Sequence, residues 1–74
     1  KMLTVNVERP FLRWREVKRY YEESKGMTLS AALHEVESWF KESGFKFGRG
    51  ANHVWLADQA GNRLMIITEE EGTT

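Results

Sequence analysis

The residues of this chain that could carry out acid, base or metal chemistry are few and lie far apart in the sequence. Its 74 residues include two histidines, His34 and His53, and no cysteine. The histidines fall on different predicted elements and have no HxxxH spacing, so we expect neither a metal site nor a cofactor. The serines lie in or beside predicted helices and fit caps and helix surfaces, because none stands in a nucleophile elbow. These observations favour a binding protein over an enzyme.

One face of a predicted β-hairpin is the first candidate for a functional surface. Strict alternation along residues 53 to 57 and 63 to 67 places four side chains toward the core: Val54, Leu56, Leu64 and Ile66. The opposite face then carries large apolar side chains among basic ones, and it is more apolar than a surface exposed to water requires. Such a composition is typical of the core of a protein interface, so we predict that this face binds a protein partner or a second copy of the chain. The predicted partner-binding residues are Trp55, Met65, Ile67, His53, Arg63 and Lys46. The alternatives are that strand 1 folds over this face or that its aromatic side chain stacks an RNA base.

A basic helix is the second candidate surface and would bind nucleic acid. Five basic residues occur between positions 9 and 19: Arg9, Arg13, Arg15, Lys18 and Arg19. Such a helix could lie along a phosphate backbone. The whole chain, however, has a formal net charge of zero, and Glu16 and Glu22 stand at pairing distance from Arg19 and Lys18 on the same helix. A solvated helix surface is therefore the favoured interpretation, with nucleic-acid binding as the alternative.

Residues 33 to 64 carry a local resemblance to a known family. A predicted helix is followed by Gly44-Phe45, then Arg49, then His53-Val54-Trp55, and then Gly61-x-Arg63-Leu64. This order resembles a stretch of the HicA-type mRNA interferase toxins, in which a strand histidine is catalytic on a double-stranded-RNA-binding-like fold. The resemblance implies His53 as the catalytic residue of a ribonuclease, which is the alternative function. Ala51-Asn52 stands where the family has Gly-Ser.

The first half of the chain predicts a strand and a helix. Leu3, Val5 and Val7 alternate with polar residues, which is the pattern of a strand with one buried face. Pro10 suits the first turn of a helix, so we expect helix 1 to begin near residues 9 to 11 and to run to about residue 24. Gly26 is placed to cap its C-terminus.

The second half predicts another helix and three strands. Thr28 is placed to cap helix 2, whose core stripe is Leu29, Leu33, Val36 and Phe40. Residues 45 to 47 restart an alternating strand, residues 48 to 52 read as a flexible connection, and residues 58 to 62 read as a type I turn followed by a left-handed glycine. The predicted order is β-α-α-β-β-β, an α+β fold with two helices packed on one face of a small antiparallel sheet.

Length and composition limit the domain organisation. We expect residues 1–68 to form one domain and residues 69–74 to form an acidic flexible tail. No apolar run approaches the roughly 20 residues of a membrane span, and cysteine is absent, so we expect a cytoplasmic protein that does not enter a membrane.

Overall fold

The computed structural model describes residues 2–70 and confirms an α+β fold with two helices on one face of an antiparallel sheet. The elements in chain order are β1 (Met2–Val7), α1 (Trp14–Glu23), α2 (Leu29–Phe40), β2 (Lys46–Arg49), β3 (His53–Ala57) and β4 (Arg63–Glu70). The four strands are ordered β1-β4-β3-β2 across the sheet. Between residues 2 and 70, no helix is long and apolar enough to cross a membrane.

The pairing of β1, which periodicity alone could not assign, is with β4. The two strands are antiparallel over the whole of β1, from Met2 opposite Glu70 to Val7 opposite Met65. This register turns Leu3 and Val5 toward the helices. The core between sheet and helices consists of Leu3, Val5, Val17, Tyr21, Leu29, Ala32, Val36, Val54, Leu56, Leu64, Met65 and Ile67. Complete burial of a large aliphatic side chain stabilises a fold by about 1.5–3 kcal/mol, so these contacts hold the helices on the sheet.

The helix α1 begins at Trp14, later than the start at residues 9 to 11 that Pro10 predicts. Its N-cap, Arg13, has a left-handed backbone conformation with φ 68° and ψ 22°. A residue within a right-handed α-helix cannot have these angles, so the helix cannot extend through Arg13 toward Pro10. The preceding residues form a separate turn, in which the Trp14 N–H donates to the Phe11 carbonyl at 3.1 Å. At the other end the cap is Ser24 in extended conformation, so the prediction that Gly26 caps the helix is also wrong.

The predicted start of α2 and the predicted turn between β3 and β4 are confirmed. Thr28 Oγ1 accepts a hydrogen bond from the Ala31 N–H at 3.1 Å, which satisfies one of the free donors at the start of α2. In the turn, Asp58 Oδ1 accepts from the Asn62 N–H at 2.8 Å, and Gly61 has φ 94°. Both features depend on residues close in sequence, which is why periodicity and turn chemistry could predict them.

The strand β2 is longer than predicted. Gly48 and Arg49, which the sequence assigned to a flexible connection, belong to β2 and lie opposite Trp55 and Val54 of β3. The connection is therefore short, and the Gly50 N–H donates to the His53 carbonyl at 2.8 Å. Cross-strand pairing with β3 overrides the poor strand propensity of glycine.

A β-bulge shifts the register of the β3-β4 hairpin by one residue. Ala57 lies opposite Arg63 and Leu56 lies opposite Met65, so Leu64 has no residue of its own opposite it in β3. A bulge turns two consecutive side chains toward one face, and Leu64 and Met65 are indeed both buried. The face assignment of β4 beyond the bulge was therefore wrong. Met65 and Ile67 are 1% and 0% exposed in the core, whereas Ile66 lies half-buried on the open face.

The end of β4 also differs from the prediction. Glu69 and Glu70, which the sequence assigned to the acidic tail, are the last residues of β4 and lie opposite Leu3 and Met2. Residues 71–74 of the predicted tail lie outside the described residues.

Candidate functional site

The open face of the sheet keeps four of the six predicted partner-binding residues. His53, Trp55, Arg63 and Lys46 lie on this face, because Trp55 pairs with Ile66, Lys46 pairs with Ala57 and Ala57 pairs with Arg63. The buried side chains of Met65 and Ile67 cannot contact a partner there. The apolar part of the face is thus reduced to Trp55 and Ile66, both half-buried.

The Trp55 side chain is partly occupied by a contact within the sheet. A Cβ built on Gly48, its cross-strand neighbour, would lie 2.7 Å from Trp55 Cζ2. The imidazole of His53 covers Gly50 in the same way, since a Cβ there would overlap His53 Cε1. Both rings therefore cover glycine backbone on and beside β2, a packing that stabilises glycine in a sheet. These two contacts explain why the Trp55 and His53 rings lie on the open face, and no partner protein is needed to account for them.

The charged residues of the open face are partly paired. The Arg63 Nε donates to Glu8 Oε1 at 3.1 Å, with 54% of the Arg63 side chain exposed. A shallow depression beside this ion pair is lined by Glu8, Lys46, Trp55, Ala57, Gly61 and Arg63. Its walls carry both signs of charge, so the depression has no clear preference for an anion or a cation.

The geometry around His53 offers little support for acid–base chemistry. Its Nδ1 lies 3.4 Å from Asn52 Oδ1. Arg49, which the resemblance to the HicA-type toxins groups with His53, lies opposite Val54 and so points to the helix side of the sheet. There its Nη1 donates to Ser30 Oγ at 3.1 Å. The structure therefore separates Arg49 and His53 onto opposite faces.

The five basic residues of the predicted nucleic-acid surface are divided between two parts of the molecule. Lys18 Nζ donates to Glu22 Oε2 at 2.8 Å and to the Val5 carbonyl at 3.0 Å, at the edge of β1. Arg13 faces α2 and pairs with Glu16 at 2.9 Å, which replaces the expected pairing of Glu16 with Arg19. Arg15 and Arg19 line one shallow depression of α1 together with Lys18, Glu22 and Glu23, and Arg15 also stacks on Trp14 there. Arg9 precedes the helix. Three of the five basic residues therefore share one face of α1 with two glutamates, while Arg9 and Arg13 lie outside it, so the five do not form one continuous strip.

The free edge of β1 is closed by the same α1 side chains. Glu22 Oε2 accepts from the Val5 N–H at 3.2 Å, while Lys18 donates to the carbonyl of that residue. The hydrogen bond from Lys18 is the main reason that the pKa of Glu22 is lowered. Since the outward backbone groups of Val5 are already bonded, a partner strand cannot pair with them at this position.

A second apolar surface, with more exposed side chains than the open sheet face, lies where α1 and the turn before it approach α2. The sequence did not predict this surface. Leu12 is 88% exposed, Trp39 is 46% exposed and Tyr20 is 41% exposed. Leu12 and Trp39 line one groove, and the Tyr20 and Trp39 ring centroids are 5.1 Å apart. We call these three residues the interhelical patch. The remaining residues of the groove are Arg13, Glu16, Val17 and Phe40.

Aromatic packing holds the interhelical patch in place. Phe40 connects it to the interior, with ring centroids 6.5 Å from Trp39, 5.7 Å from Phe11 and 5.8 Å from Phe45. The rings come from both helices, from the turn before α1 and from the residue before β2. Because their neighbours fix these rings, the aromatic part of the patch is a preformed surface.

One hydrogen bond crosses the interhelical patch between the helices. The Tyr20 hydroxyl donates to Glu35 Oε2 at 2.7 Å, and this bond is the main reason that the pKa of Tyr20 is raised. The adjacent Tyr21 is fully buried and donates to the Ala32 carbonyl at 3.4 Å. Burial is the main cause of the raised pKa of Tyr21, so both tyrosines are neutral hydroxyls at physiological pH.

Two features of the sequence were the available signals for the interhelical patch, although neither predicts it alone. Leu12 stands among charged residues of the first predicted helix, away from its apolar stripe, and Trp39 stands at the margin of the stripe of α2. Neither position shows which residue it approaches, because Leu12 and Trp39 are far apart in the chain. Only the tertiary structure, which places the turn before α1 next to the end of α2, brings them together.

Metal chemistry and known relatives do not supply a function. In the part of the chain that the structure describes, no three His, Cys, Asp or Glu side chains come close enough to hold a metal ion. His34 is exposed on α2. Comparison of the chain with protein-family models, with curated proteins and with solved structures gave no match. The function is therefore inferred from the geometry of the surfaces alone.

Proposed function

We propose that the protein is a non-enzymatic protein-binding module that docks its partner on the interhelical patch. The observation that carries this proposal is the exposure of Leu12, Tyr20 and Trp39, at 88%, 41% and 46%, with Trp39 in ring contact with Tyr20 and lining one groove with Leu12. Single exposed apolar residues are ordinary, but a contiguous aromatic and aliphatic group on a small domain is typical of an interaction site. Trp and Tyr are also enriched among the residues that dominate binding energies.

The energetics favour a partner that covers Leu12. Burial of a leucine side chain contributes about 1.5–3 kcal/mol, and the gain is close to the maximum here because the residue is almost fully exposed in the free chain. Arg13, which follows it, has a left-handed conformation of the kind that is enriched at binding and catalytic sites. Exposure and local strain thus support the same surface.

The open sheet face is the second candidate surface for the same function. Trp55 and Ile66 remain there beside Arg63 and Lys46, but both apolar side chains are already half-buried within the sheet. Less area is left for a partner to cover. We therefore place the docking site on the interhelical patch. Nucleic-acid binding through α1 and RNA cleavage at His53 are the alternatives that the experiment below also tests.

The test is crosslinking from one residue on each surface. A photoreactive p-benzoylphenylalanine replaces Leu12 on the interhelical patch, and in a matched control it replaces Asn6, an exposed residue opposite Ile66 on the open sheet face. Both proteins are irradiated in lysate of the source cells, with and without nuclease and at low and high salt. We expect a nuclease-resistant protein adduct from position 12 and none from position 6. The adduct should persist at high salt, because apolar contacts are screened little.

Other outcomes would contradict the proposal in recognisable ways. Adducts from position 6 alone would transfer the docking site to the open sheet face. Adducts that disappear with nuclease or high salt would favour the nucleic-acid alternative, since phosphate contacts weaken steeply with ionic strength. An adduct between two copies of this chain, with a dimer in sedimentation, would identify the partner as a second copy. Cleavage of bulk RNA that is lost in His53→Ala would show an enzyme.

A further inference from the structure

A cluster of rings and one carboxylate occupies the part of the interhelical patch where α1 meets α2. Glu35 and Trp39 are one helical turn apart on α2, so their side chains are neighbours. Tyr20 reaches them from α1, with its hydroxyl 2.7 Å from Glu35 Oε2 and its ring centroid 5.1 Å from that of Trp39. Buried Tyr21 packs against both rings, with centroid distances of 5.1 Å to Tyr20 and 5.8 Å to Trp39. Two exposed rings and a carboxylate are thus held together.

This cluster carries negative charge without a matching cation. The faces of aromatic rings are the negative ends of their quadrupoles. Within residues 2–70, no basic side chain forms an ion pair with Glu35, whereas Glu8, Glu16 and Glu22 each have one. In addition, Glu35 Oε1 is buried and accepts no hydrogen bond from a described residue. An unsatisfied buried acceptor is costly, so a donor that reached this oxygen would be bound favourably.

We propose that Tyr20, Trp39 and Glu35 recognise an arginine side chain of the protein partner, an inference that rests on the proposed function. A guanidinium is planar and presents several N–H donors in a fixed geometry, so it can stack on the Trp39 ring and donate to Glu35 together. The hydrogen bond between the Tyr20 hydroxyl and Glu35 Oε2 is exposed, and a carboxylate oxygen can accept more than one hydrogen bond, so the guanidinium can reach the carboxylate at Oε2. The chain contains one such stack already, with Arg15 Cζ 4.6 Å from the centroid of the Trp14 ring.

The test is an NMR titration with a probe that carries only the recognised group. N-acetyl-arginine amide is added to the full chain while the three indole N–H signals of Trp14, Trp39 and Trp55 are followed. N-acetyl-citrulline amide is the neutral control of nearly the same shape. We expect the arginine probe to shift the Trp39 signal in a saturable way and the citrulline probe to bind at least about fivefold more weakly. Trp14, whose ring Arg15 already covers, should not respond.

Two variants separate recognition from folding. Glu35→Gln keeps an acceptor for the Tyr20 hydroxyl but removes the charge, and we expect it to weaken the arginine probe by about fivefold or more. Trp39→Leu should abolish the response, which is then read from backbone amide signals, while thermal melting confirms that each variant is folded. Equal shifts with both probes, or equal responses of Trp14, Trp55 and Trp39, would overturn the inference.

The inference and the proposed function can fail separately. If the crosslinked adduct from position 12 forms at the parent level in Glu35→Gln and the arginine probe does not bind, the docking site stands and arginine recognition is overturned. If the probe binds as expected but position 12 gives no adduct, arginine recognition is supported and docking on Leu12 is contradicted. An adduct that decreases in Glu35→Gln supports both, because the partner then uses the same carboxylate.

Discussion

Trp55 lies across Gly48, its neighbour on β2, so closely that a Cβ on the glycine would come within 2.7 Å of Trp55 Cζ2. This contact accounts for a tryptophan on the open face of the sheet without a ligand. A side chain that covers the backbone of a glycine strand replaces packing that the glycine itself cannot make. The open face is therefore partly closed from within the chain, and the more exposed aromatic rings are those of the interhelical patch.

Gly48→Ala should destabilise the protein by about 1–3 kcal/mol, because the new methyl group would overlap the Trp55 ring and force it to move. The free energy of unfolding in urea measures the effect. In a Trp55→Ala background the same change should cost little, since the obstructing ring is gone and alanine is the better strand residue. An equal cost in both backgrounds would show that the two residues do not touch in solution.

Met65→Ala should cost about 2–5 kcal/mol, because the side chain is 1% exposed in the core and its loss leaves a cavity. Ile66→Ala, on the open face, should cost about 1 kcal/mol. Urea unfolding of both variants therefore tests the β-bulge at Leu64 directly. If Ile66→Ala were the more damaging change, β4 would follow strict alternation, and Met65 would face outward.

Arg13→Gly should be more stable than Arg13→Ala by about 1 kcal/mol, because only glycine adopts φ 68° without a steric cost from Cβ. Both variants lose the ion pair with Glu16, so the difference between them reports the backbone alone. Thermal or urea unfolding measures it. Equal stabilities would mean that α1 extends toward Pro10 in solution and that Arg13 is helical there.

The contribution of Asp58 to stability should depend on pH in a defined direction. The hydrogen bonds from Asn62, first from its side chain, lower the pKa of Asp58 in the folded state. The stabilisation is thus fully present above the ordinary aspartate pKa of about 4 and is lost as the pH falls through the lower folded pKa. Unfolding free energies at pH 7 and pH 2 should differ less in Asp58→Asn than in the parent. An identical acid response in the two proteins would contradict the turn geometry.

The open face of the sheet shows that alternation along a strand is not enough to assign side chains to the two faces of the sheet. Trp55, His53 and Arg63 lie on the face that alternation predicts, but Met65 and Ile67 do not, because Leu64 is inserted as a bulge. The sequence of β4 does not mark the bulge, because Arg63 is followed by four apolar residues in a row, at positions 64 to 67, and any of them could face the core. The register is chosen by the total burial that β1, β3 and β4 achieve together.

The sequence by itself determined the features that depend on neighbours in the chain. The cap at Thr28, the turn at Asp58 and the alternation of β1 follow from local hydrogen bonds and from side-chain period, so the order of elements could be derived. Tertiary structure alone decided which strand β1 pairs with and how the register of β4 shifts at the bulge. It also decided that α1 begins only after the left-handed Arg13. It also placed Trp39 next to Tyr20 and in one groove with Leu12, because the surface between α1, the turn before it and α2 is set by how these segments pack on the sheet and not by any of them alone.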